Sequence, residues 1–192
     1  MGIQTQHCMK LLYTIILLLL SAFITTAQEK GDMIIEDRLL TWDDFQGKHK
    51  SDVFDAITIT EMIIEPNKYI PGTPVPEYKA KAYFKQRESS VDRKFMKVST
   101  DEVKAHVLKH EQGHYDIARI TEMQINDIYK NFNWHPRRSM FQADSISRSI
   151  NNQMRAIQLK YDKETNHSKI KEEQERWNKL IVEGLNNRKL PQ

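Results

Sequence analysis

The chain has 192 residues and a formal net charge of +3, with 29 lysines and arginines set among 26 acidic residues. Charge mixed this evenly forms no basic stripe, so nucleic acid is excluded as the expected partner. A single cysteine, Cys8, excludes a disulfide framework and a thiolate metal site.

The first element is a targeting segment. Lys10 precedes an apolar stretch that begins at Leu11 and relaxes into small residues, ending in Thr25-Thr26-Ala27. Charged, apolar and small regions in that order predict a secretory signal peptide over 1–27, with cleavage near Ala27. Cys8 would leave with it. The expected product is one exported domain, 28–192, periplasmic or extracellular, with no stable membrane insertion after cleavage.

Strands are expected next. Residues 53–65, VFDAITITEMIIE, carry alternating apolar positions up to Pro66, and "NKYIPGTPVPE" reads as a turn region. In 77–87, EYKAKAYFKQR, Tyr78, Ala80, Ala82 and Phe84 share one face, opposite Lys79, Lys81 and Tyr83. The two runs predict an antiparallel pair with one solvated face. "DMIIEDRLL" is expected to add a strand, and "TWDDFQG" to place Trp42 and Phe45 in the core with Gly47 turning the chain.

Everything after residue 98 reads as helix. Ser99 and Glu102 fit a capping box, and apolar positions from Val103 onward predict one helix to about Tyr129. "NFNWHPRR" interrupts it at Pro136. A second helix is expected from about Ser139 to Lys160 and a third from about Ser168 to Asn186. Strands followed by helices give an α+β class: a small antiparallel sheet, a long helix and two further helices.

The long helix carries "KHEQGHYDIARI", residues 109–120. His110 and His114 lie one turn apart on the same face, so both imidazoles can reach one ion, and four-residue spacing suits zinc. Glu111, turned about 100° away, is poorly placed as a ligand but can accept a proton from a zinc-activated water. The spacing alone also fits an ordinary helix face. Inward-pointing imidazoles need partners, however, because burying them unpaired is costly. Gly113 weakens the helix by about 1 kcal/mol relative to alanine, which suggests that something passes close beside it.

A catalytic zinc needs a third protein ligand. Ile120 occupies the position of the commonest third histidine, six residues after His114, and Glu122 and Asp127 lie roughly 12 and 20 Å further along the helix. The segment "YDKETNHSK", 161–169, supplies the candidates: His167 first, then Asp162, then Glu164 or a later glutamate. Tyr161 is a candidate hydroxyl donor to the oxyanion of a tetrahedral intermediate. Asp116 is a candidate acceptor for a ligand imidazole, or a surface acid, and His106 is expected to line the cleft or face solvent.

Together, "HEQGHYDIA" (110–118), "YDKETNH" (161–167) and "TWDDFQG" (41–47) resemble a bacterial family of predicted secreted zinc-dependent proteases. That family is a domain of unknown function placed in the zincin-like HExxH metallopeptidase superfamily. The resemblance spans roughly residues 36–187. It implies His110 and His114 as zinc ligands, Glu111 as catalytic acid/base, and His167 as the histidine of the later motif. The family pattern has glycine after that histidine; this chain has Ser168.

The function expected from these residues is a zinc metallopeptidase acting on peptide or protein substrates. The edge of the EYKAKAYFK hairpin is the expected substrate holder, by strand addition. Two alternatives use the same residues: a non-catalytic metal-binding envelope protein, and a zinc amidase acting on cell-wall material.

Overall fold

Alternating apolar residues in the first half do produce a hairpin. In the computed structural model, which describes residues 33–34, 38–69 and 71–191, β3 (Thr60–Tyr69) pairs antiparallel with β4 (Pro76–Lys85). Tyr78, Ala80, Ala82 and Phe84 are all buried, as the alternation predicts, and Tyr83 on the opposite face is buried as well. Pro66 does not end its strand. It pairs with Tyr78, and the irregularity falls between Pro66 and Tyr69. A second, two-stranded ladder joins β2 (Ala56–Ile57) to β5 (Ser90–Val91), and β1 is the short strand Met33–Ile34. The chain divides into two units, 1–34 and 35–192, and everything below lies in the second. The segment read from sequence as a signal peptide, 1–27, lies outside the described residues. Among those described, no helix is long and apolar enough to cross a membrane.

Four helices follow the strands: α1 (Arg93–Val98), α2 (Asp101–Asn131), α3 (Ser139–Thr165) and α4 (Lys171–Asn187). The sequence reading missed α1, whose N-cap Asp92 accepts from the Lys94 N–H. The cap of α2 is Thr100, accepting from the Val103 N–H; Ser99 closes α1 instead. Helix α3 runs five residues beyond the expected Lys160, so Tyr161 and Asp162 sit on its last turn and not in a loop.

Helix α2 is the central member. Ile117, Ile120 and Ile125 are fully buried and share one cluster with Tyr78 and Ala80 of β4, Ala143 and Ile150 of α3, and Trp177 and Ile181 of α4. Polar clips fix helix to hairpin: Asn126 bonds both the N–H and the carbonyl of Ala80, and Glu122 accepts from the Ala82 N–H. Those β4 groups are thereby occupied. Two contacts set the direction of α3. Its start meets the end of α2, where the Tyr129 hydroxyl donates to the Ala143 carbonyl. Its end returns to the middle of α2, where Asp162 meets His110 and His114.

In the tryptophan segment Phe45 is buried, as expected, whereas Trp42 is only half-buried. Trp42 packs on Phe45 and Phe95, and Phe45 on Phe84. Asp44 accepts a two-pronged bond from Arg38 and another from the Thr41 N–H. Burial opposes its ionisation, but these bonds outweigh burial and hold its carboxyl down at about 2. Gly47 lies at a bend, as expected, and has a second role. A Cβ there would lie 2.7 Å from the Ser89 carbonyl oxygen and 2.8 Å from that of Arg87, so glycine permits two backbones to touch.

Candidate metal centre

His110 and His114 project from consecutive turns of α2 toward the last turn of α3. Their Nε2 atoms lie 3.2 and 2.9 Å from the same oxygen, Oδ1 of Asp162. One ligand atom from each of the three residues falls within 4.8 Å of the other two, a group that could hold a metal ion. Of the candidates from 161–169, the structure brings Asp162 into this group. His167 lies at the edge: its Nδ1 is 3.4 Å from the same Asp162 oxygen, its ring rests on Phe54 at 4.4 Å, and its side chain is 39% exposed. Glu164 points elsewhere, accepting from Arg176 and from the Trp177 indole N–H.

The opposite ring nitrogens identify the tautomers. The Gln174 amide donates to the Tyr161 hydroxyl and to Asn178, so its Oε1 is the acceptor for Nδ1–H of His110 at 2.9 Å. Gln158 donates to the His114 carbonyl and accepts from Nδ1–H of His114. Both imidazoles are thus held with Nδ1 protonated and Nε2 facing Asp162, the arrangement in which supporting acceptors orient metal-binding histidines.

Asp162 could accept from both Nε2 atoms only if both rings were cations. Two imidazoliums largely buried around one carboxylate are costly, whereas one divalent ion replaces both Nε2 protons at equal charge. The charges show the same tension. Burial raises the Asp162 carboxyl, but hydrogen bonds and charge from the two histidines outweigh it and hold it well below the carboxylate range. Burial opposes protonation of His114, yet Asp162 and Glu111 push its affinity for a proton up. The donor set fits a cation.

Glu111 completes the group. It is 4% exposed, and its Oε2 has no hydrogen-bond partner among the described residues. An orphaned buried carboxylate oxygen calls for a hydrogen-bond donor from outside the chain, such as a water. It faces a cleft of about 250 Å³ lined by the two histidines, Gln158, Asp162, His167 and the segment 53–58, which includes the short strand β2. The hairpin expected to hold a substrate does not line this cleft; the wall is Val53 to Thr58.

Tyr161 does not present its hydroxyl to the cleft. It is fully buried, stacked on His110 at 4.5 Å and packed on Trp177, and its hydroxyl donates to the His110 carbonyl. Burial pushes that hydroxyl further up from its ordinary pKa. The reason is positional: Tyr161 is on helix α3, facing α2, and Gly113 leaves room for its ring, since a Cβ there would lie 2.5 Å from the tyrosine oxygen. Asp116 bonds Gln112 and Arg119 and no imidazole. His106 holds the carbonyl of Ser168 at 2.6 Å. Sequence reasoning missed Gln158 and Gln174; the only available signal was a glutamine on the inward line of each neighbouring helix.

The α3–α4 connection is strained. Asn166, His167 and Ser168 all have positive φ, at 46°, 51° and 69°. Ser168 stands where the resemblance called for glycine, and its backbone takes the conformation glycine adopts most easily. Ser168→Gly is therefore expected to raise stability by about 0.5–1 kcal/mol, read as a higher denaturation midpoint. A lower midpoint would mean that the buried serine side chain contributes more than the strain costs.

Against known proteins, the model of a family described as a bacterial protein of unknown function (DUF922) matches residues 74–168. That span contains both histidines, Glu111 and Asp162. No curated protein and no solved structure matches the chain.

Proposed function

We propose that this chain is an exported zinc-dependent metallopeptidase of the zincin-like class. The observation that carries the reading is the convergence of two Nε2 atoms and one carboxylate oxygen, each imidazole oriented from behind by a glutamine, beside a buried glutamate oxygen with no partner. His110, His114 and Asp162 would hold the metal. Two nitrogens and one oxygen are the donor types that would suit a catalytic zinc ion. When bound, zinc supplies Lewis acidity, polarising a carbonyl and easing deprotonation of water.

The chain's own residues do the rest. Glu111 takes the proton of the attacking water on its carboxylate and returns it to the leaving amine. Gln158, Gln174 and Tyr161 fix the two rings, so the donors need no rearrangement. Segment 53–58 forms the wall along which an extended peptide lies, close to α2, where the Thr58 hydroxyl bonds the Glu111 carbonyl.

Metal analysis tests the first step. One equivalent of zinc per chain is expected. Asp162→Ala should weaken binding by more than the 10–100-fold typical of losing a supporting group, while His167→Ala should keep the metal. The reverse order would transfer the third-ligand role to His167. No zinc bound by the unaltered chain would end the reading.

A further inference from the structure

The turn between α2 and α3, at the opposite end of α3 from Asp162, carries a feature that the metal centre does not use. Met140 and Phe141 stand side by side on the first turn of α3, 76% and 68% exposed. Arg137 and Arg138 immediately precede them, both exposed. Among the described residues, neither guanidinium has an ion-pair or hydrogen-bond partner. The nearby acid, Asp144, is already paired with Arg148 at 2.6 Å. No side chain caps this helix start among the described residues.

The base of this tip is rigid. Trp134 packs on Tyr78, Tyr129 and Phe132, and Ser139 is buried with its hydroxyl bonded to that of Tyr78. Exposed apolar side chains on a rigid base, preceded by two unpaired cations, match one kind of partner: a surface with phosphates at the level of the arginines and hydrocarbon beneath.

The geometry points to a peripheral membrane contact in which Met140 and Phe141 enter an anionic lipid bilayer while Arg137 and Arg138 bind its headgroup phosphates. Adjacent apolar side chains and basic residues are the two signals that reversible interfacial binding combines. By helical rise, the tip lies roughly 36 Å along α3 from Asp162. Lipid binding and metal binding are therefore separable, and neither proposal depends on the other.

The test uses the full chain with Cys8→Ser and Met140→Cys, the new thiol carrying an environment-sensitive fluorophore. Vesicles contain either phosphatidylglycerol or phosphatidylcholine alone. A label at 140 reports this tip even if the N-terminal apolar segment also holds the chain to the vesicle. A blue shift and protection from an aqueous quencher are expected with phosphatidylglycerol and not with phosphatidylcholine. Arg137→Gln with Arg138→Gln should raise the lipid concentration needed by roughly 30-fold. The proposal is overturned by an unchanged emission, by an equal shift on both lipids, or by a shift without vesicles that grows with protein concentration, which would make the tip a contact between copies.

Discussion

Replacing Glu111 with glutamine is expected to leave zinc bound at one equivalent and to cut peptide hydrolysis by about 10²- to 10⁴-fold, the usual contribution of a positioned general base. The two readouts separate because Glu111 is not among the three converging donors. Glutamine has the same shape and can still hydrogen-bond a water, but it cannot accept the proton. The substitution should cost little stability: among the described residues Oε2 has no partner to lose, and a neutral amide is easier to bury than a carboxylate. Zinc content by mass spectrometry, beside cleavage of an unstructured protein such as casein, decides the matter. Hydrolysis at the wild-type rate with zinc in place would show that the carboxylate is not the base, and the peptidase mechanism would fall. Loss of zinc along with activity would instead make Glu111 a ligand.

The legible parts of this molecule were those governed by local pattern. His110 and His114 were readable because four-residue spacing on a helix places two side chains together whatever surrounds them. The hairpin was readable because alternation in 77–87 marks a face directly. What escaped depended on partners distant in sequence. Asp162 enters the site because α3 continues through Thr165, and "YDKET" carries no helix-breaking residue that fixes the end; the stop comes from Asn166 in the left-handed conformation. Tyr161 was readable as part of the site but not as to its side of it. Gln158 and Gln174 resemble any surface glutamine until α3 and α4 are packed against α2. Gly47 was readable as a bend, but the second backbone that requires its missing Cβ was not.

Gly113 supports the other large expectation. In an isolated helix, Gly113→Ala would stabilise by about 1 kcal/mol. Here the added methyl would meet Tyr161 at 2.5 Å from Oη, 2.9 Å from Cζ and 3.1 Å from Cε1. That ring cannot swing aside easily, being fully buried between His110 and Trp177 with its hydroxyl held by Gln174 and the His110 carbonyl. Overpacking of a well-filled site costs typically 1–3 kcal/mol, so after the helical gain a net loss of up to about 2 kcal/mol is expected, with zinc affinity falling about 10–100-fold as the ring pushes on His110 and on the turn that carries Asp162. Adding Tyr161→Phe removes the nearest atom and should recover part of both losses, making the pair strongly non-additive. Chemical denaturation and zinc titration of the two single variants and the double variant measure the coupling. If Gly113→Ala alone gains the full helical increment and keeps its zinc, the tyrosine does not lie against that turn, and the way the two helices bring Asp162 to the histidines would have to be redrawn.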